Sequence, residues 1–134
     1  MILWTRKAAS IAALTGSMWL ADVSLTLADV KDYEFQLVQN EVKKGEVIVA
    51  ARLVNKKTGQ AVPDAVIFAK RIDMAPDGMA TMDSPLEALP STEPGVYRFK
   101  TNLPMAGRWQ LSLGARVQGE TGPVESKLVL KALP

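Results

Sequence analysis

The run from Trp109 to Val117 constrains the fold of this chain most. Trp109, Leu111, Leu113, Ala115 and Val117 are apolar, and Gln110, Ser112 and Arg116 stand between them. A period of two belongs to a strand with one face in a core and the other in water, because successive side chains point to opposite faces. The same alternation places Tyr33, Phe35 and Leu37 against Glu34 and Gln36, and Tyr97 and Phe99 against Arg98 and Lys100. Val47, Val49, Ala51 and Leu53 alternate with Ile48, Ala50 and Arg52, a pattern apolar on both sides that predicts a central strand. From Ala65 to Met74 the spacing predicts a strand with Val66, Phe68, Ile72 and Met74 on one side and Arg71 and Asp73 on the other. A short segment around Leu86–Leu89 and a closing run from Ser126 to Leu130 complete the set.

Turn chemistry separates these runs. Asn55 to Gln60 carries Gly59, Ser91 to Gly95 holds a Pro-Gly pair, and Gly119 to Pro123 ends the best strand. A helical period appears nowhere after Ala28, and there is no internal repeat. Short strands at regular spacing predict an all-β, immunoglobulin-like antiparallel β-sandwich of about seven strands.

The first 28 residues read differently. Arg6 and Lys7 precede an apolar run from Ala8 to Ala21, and Thr26-Leu-Ala28 offers small residues for cleavage. This is the pattern of a bacterial secretory signal peptide over residues 1–28, with a mature domain over 29–134 and a periplasmic location. The alternative is an uncleaved membrane anchor. Fourteen residues as a helix reach roughly 21 Å at ~1.5 Å each, short of a ~30 Å hydrocarbon core, and Asp22 ends the run. After cleavage no direct membrane span is expected.

Composition excludes much chemistry. The chain has no cysteine and no histidine, so disulfides, thiolate and imidazole metal sites and histidine-based catalytic triads are all out. Its 16 basic and 14 acidic residues are interspersed, which describes a solvated surface and not a nucleic-acid stripe. No nucleophile–base pair or cofactor motif is visible, so the chain is not expected to be an enzyme.

Six methionines remain, three of them in DMAPDGMATMD from Asp73 to Asp83. Thioethers are soft, neutral ligands suited to Cu(I) or Ag(I). Met74, Met79 and Met82, with a turn at Pro76-Asp-Gly78 between the first two, form a candidate soft-metal site that Met105 would join from a separate loop. Competing structural roles exist. Met74 has the parity of a core residue, and Met105 serves equally to pin its loop onto the core. Asp73, Asp77 and Asp83 are the hard-ligand alternative, but their spacing is not that of a calcium loop. Trp109 is expected in the core with its indole N–H on a backbone acceptor. Arg71, Arg98 and Arg108 are most simply expected to pair with acids at the surface; the alternative is a role in docking an acidic partner.

Three segments carry a family resemblance: GQAVPDAVI from Gly59, PGVY from Pro94, and PMAGRWQL from Pro104. Together they resemble the YtkA-like/FixH-like family, over roughly residues 45 to 131. The resemblance implies an exported bacterial domain of immunoglobulin-like fold associated with copper and heavy-metal handling. It implies as partner a membrane efflux system of the resistance-nodulation-division type or a haem–copper oxidase assembly complex. Two readings follow. One is a periplasmic accessory in copper or silver efflux, binding Cu(I) through methionine. The other is an interaction module that docks on such an assembly with no metal site of its own.

Overall fold

The computed structural model describes residues 32–134. The expected signal peptide over 1–28 lies outside the described residues. Among the described residues nine strands form two sheets: β1 (Tyr33–Leu37), β2 (Glu41–Lys43), β3 (Gly45–Asn55), β4 (Val66–Met74), β5 (Met79–Ser84), β6 (Glu87–Leu89), β7 (Val96–Leu103), β8 (Gly107–Arg116) and β9 (Pro123–Leu133). One sheet has the order β1-β3-β7-β6 and the other β2-β9-β8-β4-β5. All pairs are antiparallel except β2 with β9. That exception arises because β1 and β2 are one extended run broken at residues 38–40, its first half joining one sheet and its second half the other.

Setting aside β2 and β5, the first, second, fifth and fourth strands share one sheet and the third, sixth and seventh share the other. That is the strand arrangement of an immunoglobulin-type sandwich. The strands beyond the seven expected are β2, three residues long, and β5, which lies within the methionine-rich segment read as a loop.

The core fills the space between the sheets. Trp109, Leu111, Leu113, Ala115 and Val117 are all buried, as their alternation requires. They face Phe35, Val49, Ala51, Leu53, Phe99 and Leu103 from the opposite sheet. β3 is interior to its sheet, as expected, but its outer face stays open, with Ile48 exposed.

The expected parity of β4 holds only over its second half. Ile72 and Met74 are buried, whereas Val66 is 63% and Phe68 47% exposed. A bulge between Ile67 and Ala69 causes this: one extra residue on β4 opposite β8 reverses which side chains point inward. Ile67 takes the inward place and packs against the core. Tyr97 closes the crossing from β3 to β4, its hydroxyl donating to Val62 O (2.7 Å) and accepting from Ala65 N (3.0 Å).

Candidate functional site

The methionine-rich segment is a hairpin, not a free loop. β4 ends at Met74, a 3-10 turn spans Ala75–Asp77, and Gly78 takes φ +78° with its N–H on Ala75 O (2.9 Å) before β5 begins at Met79. Pro76 fixes one backbone torsion of this turn, and glycine accepts the left-handed torsion that closes it. The turn brings Met79 directly opposite Met74.

Beyond that pair the register slips. Asp73 and Met74 are adjacent on β4, but their partners Asp83 and Met79 are four apart on β5. Ala80, Thr81 and Met82 therefore leave the ladder. Arg71 holds this excursion with three nitrogens: Nε donates to Asp73 (2.7 Å), Nη1 to Asp83 (3.0 Å) and Nη2 to Ala80 O (2.6 Å). The hydrogen bond to Asp73 is the main reason the Arg71 pKa is raised. Asp73 is buried, and its second oxygen accepts from Ala75 N (2.8 Å), where the 3-10 turn starts.

A second arginine holds the turn from the other side. Arg108, at the start of β8, donates from its backbone N (2.8 Å) and Nε (2.8 Å) to the two oxygens of Asp77, and from Nη2 to Pro76 O (2.7 Å). These bonds, the backbone one foremost, hold the Asp77 carboxyl below its ordinary range. The latch is tight because residue 107 is glycine. With φ at +143°, a Cβ there would stand 2.6 Å from Met74 Cε and 2.7 Å from Asp77 Oδ2.

The four candidate sulfur residues thus differ in kind. Met74 is a core residue, 1% exposed, with its methyl group against Gly107. Met79 is partly buried and packs on the core. Met82 is 37% exposed in the excursion, and Met105 is 40% exposed in the 104–106 connection from β7 to β8. The latch sets the Met105 connection beside the turn between Met74 and Met79, so the two segments share one end of the sandwich. The Met105 carbonyl accepts the Trp109 indole N–H (3.0 Å), the backbone acceptor expected for that indole, while the Met105 side chain stays outside the core cluster instead of pinning its loop there.

Every carboxylate of the segment has an arginine partner, which answers the hard-ligand alternative. Asp73 and Asp83 share Arg71, and Asp77 holds Arg108. No group of three or more His, Cys, Asp or Glu arranged to hold a metal occurs among the described residues. Of the three arginines expected to pair with acids, Arg98 instead donates to Pro90 O. Arg71 and Arg108 pair with acids as expected, but which acid Arg108 takes was not legible beforehand, because Asp77 lies 31 residues away.

A family model described as YtkA-like matches residues 27–114. The chain belongs to the YtkA-like family. The match starts ahead of β1 and ends within β8, so it begins and stops earlier than the motif resemblance over 45 to 131. No curated protein matches the sequence. Among solved structures, the chain is similar to the Lin-41 filamin domain, at 13% identity and TM-score 0.43, over 72% of this chain and 89% of that one. It is also similar to the ZirS C-terminal domain, at 8% identity and TM-score 0.46, over 93% of this chain and 82% of that one.

Proposed function

We propose that this YtkA-like chain is a non-catalytic periplasmic accessory in copper or silver handling. In this reading it holds Cu(I) or Ag(I) on Met79, Met82 and Met105, above a floor made by Met74. The observation that carries it is the latched end of the sandwich. There the methionine hairpin and the Met105 connection lie side by side while the neighbouring carboxylates are engaged by Arg71 and Arg108. The donors that remain accessible are thioethers, which fit a soft monovalent ion and not calcium or zinc. Met74 is sealed in the core, so the fit rests on three sulfurs.

The test is a titration of residues 29–134 with Ag(I) or Cu(I) against a competing chelator. Trp109, hydrogen-bonded to the Met105 carbonyl, reports by fluorescence. Binding should persist near pH 5, because thioethers do not titrate, and zinc should not compete. Met79→Leu with Met82→Leu keeps the fold, since such swaps cost less than ~1.5 kcal/mol each. Affinity should fall at least tenfold, about 1.4 kcal/mol. Equal binding by parent and variant, or no binding by the parent, refutes the metal site.

A further inference from the structure

The outer face of the five-stranded sheet meets the methionine end through Arg71 and Arg108, and across β4, β8 and β9 it has the form of a trough. Strand β8 runs along its middle, and there the outward residues are small: Ser112 and Gly114. Cross-strand register sets Arg71, Ser112 and Lys127 in one row and Ala69, Gly114 and Glu125 in the next. A cavity of about 500 Å³ lies over these two rows. Strands stand about 4.8 Å apart, so the Arg71 and Lys127 backbones are separated by roughly 10 Å across the serine hydroxyl.

One end of the trough is an exposed aromatic ring in a fixed pose. Phe68, pushed outward by the bulge, lies against Gly114, where an added Cβ would be 2.9 Å from its Cζ. The Arg116 guanidinium sits 5.3 Å from the ring centroid. An aromatic side chain held this way presents apolar area without losing much freedom on contact. Val66 and Val129 are exposed on the same face.

The charge of the face decides the partner's sign. Over all five strands the outward positions carry Lys43, Arg71, Arg108, Arg116, Lys127 and Lys131 against Glu41, Asp73, Asp83 and Glu125, six basic residues to four acidic. Arg116, Lys127 and Lys131 form no ion pair among the described residues. The outer face of the other sheet is balanced, with Glu34, Glu46 and Glu87 against Arg52, Arg98 and Lys100.

We propose that this trough docks an extended acidic segment of a partner protein, one carboxylate lying over Ser112 between Arg71 and Lys127 and a neighbouring apolar side chain resting beside Phe68. The cavity spans three strands with Ser112 and Gly114 as its small-residue floor, so it suits an inserted peptide side chain better than a flat lipid surface. Opposite charge across the contact supplies register and speeds encounter.

The probe is a short capped peptide of alternating glutamate and leucine, added to isotope-labelled residues 29–134, with lysine replacing glutamate in the control. The amide signals of Ser112, Gly114 and Lys127 should shift, and binding should weaken as salt rises. Lys127→Glu, an exposed change that leaves the core untouched, should lower affinity at least tenfold, and Phe68→Ser should weaken it as well. Absence of shifts at millimolar peptide, equal binding of the lysine peptide, or indifference to Lys127→Glu overturns the proposal. Binding to phosphatidylglycerol vesicles without binding to the peptide overturns it in favour of a membrane surface.

Discussion

Replacing Gly107 with alanine tests the latch that builds the methionine end, and Gly45 provides the control. Both glycines open a strand, β8 and β3, and both hold positive φ, +143° and +105°. Alanine at either position carries backbone strain on the order of 1–3 kcal/mol. Only at Gly107 does the new Cβ meet other atoms, at 2.6 Å from Met74 Cε and 2.7 Å from Asp77 Oδ2, whereas nothing lies within 4 Å at Gly45. The Met74 methyl is the end of a flexible side chain but is sealed in the core. The Asp77 oxygen cannot retreat without losing its bond from Arg108 N. Crowding of this kind costs typically ~1–3 kcal/mol more.

Gly107→Ala should therefore lose roughly 2–6 kcal/mol, a large share of the ~5–15 kcal/mol of a whole domain. Gly45→Ala should lose only the strain. Urea denaturation of the two variants and the parent measures the difference directly. Equal losses would show that Gly107 is required for its torsion alone and that the close approach of Met74 and Asp77 has no energetic weight.

Two further outcomes follow from single groups. Tyr97→Phe strands the Val62 carbonyl and the Ala65 N–H, and should destabilise by about 1–3 kcal/mol; an unchanged denaturation midpoint would contradict the bridging role of its hydroxyl. The Asp77 carboxyl is held below its ordinary value of 3.8, so its stabilisation is present above that value and is lost as pH falls through the lower folded value. Asp77→Asn should flatten the fall in stability measured below about pH 4 and leave the neutral range without that slope.

The alternation from Trp109 to Val117 needed no tertiary knowledge, because one face of β8 is core along its whole length. β4 was legible only in part. Its composition alternates correctly, but a single bulged residue at Phe68 inverts the faces, and nothing in VIFAKRIDM marks where that residue falls. β5 was hidden for a different reason. Met79 to Ser84 holds just one pair with apolar partners before the register slips, so no period is long enough to read. The candidate methionines could be named from chemistry. Which of them is sealed depends on Gly107, in a different strand, leaving room for the Met74 methyl.

Arg71 belongs to both surfaces described above. Its Nε, Nη1 and Nη2 hold Asp73, Asp83 and Ala80 O, which fixes the excursion bearing Met82, while its half-exposed side chain lines the trough over Ser112. A guanidinium has five N–H donors, so three of these bonds leave two for an incoming carboxylate. The Asp73 bond is sheltered, since that carboxylate is 6% exposed; the Asp83 bond is not, with 52% of its side chain exposed. An acid arriving on those two donors repels the Asp83 carboxylate and pulls on the guanidinium, and the exposed Asp83 bond yields before the sheltered Asp73 bond. On the two proposals taken together, partner docking would loosen the excursion that carries Met82 and leave the turn latched by Arg108 intact. A docked partner would then weaken one of the three accessible sulfur donors without disturbing Met79 or Met105.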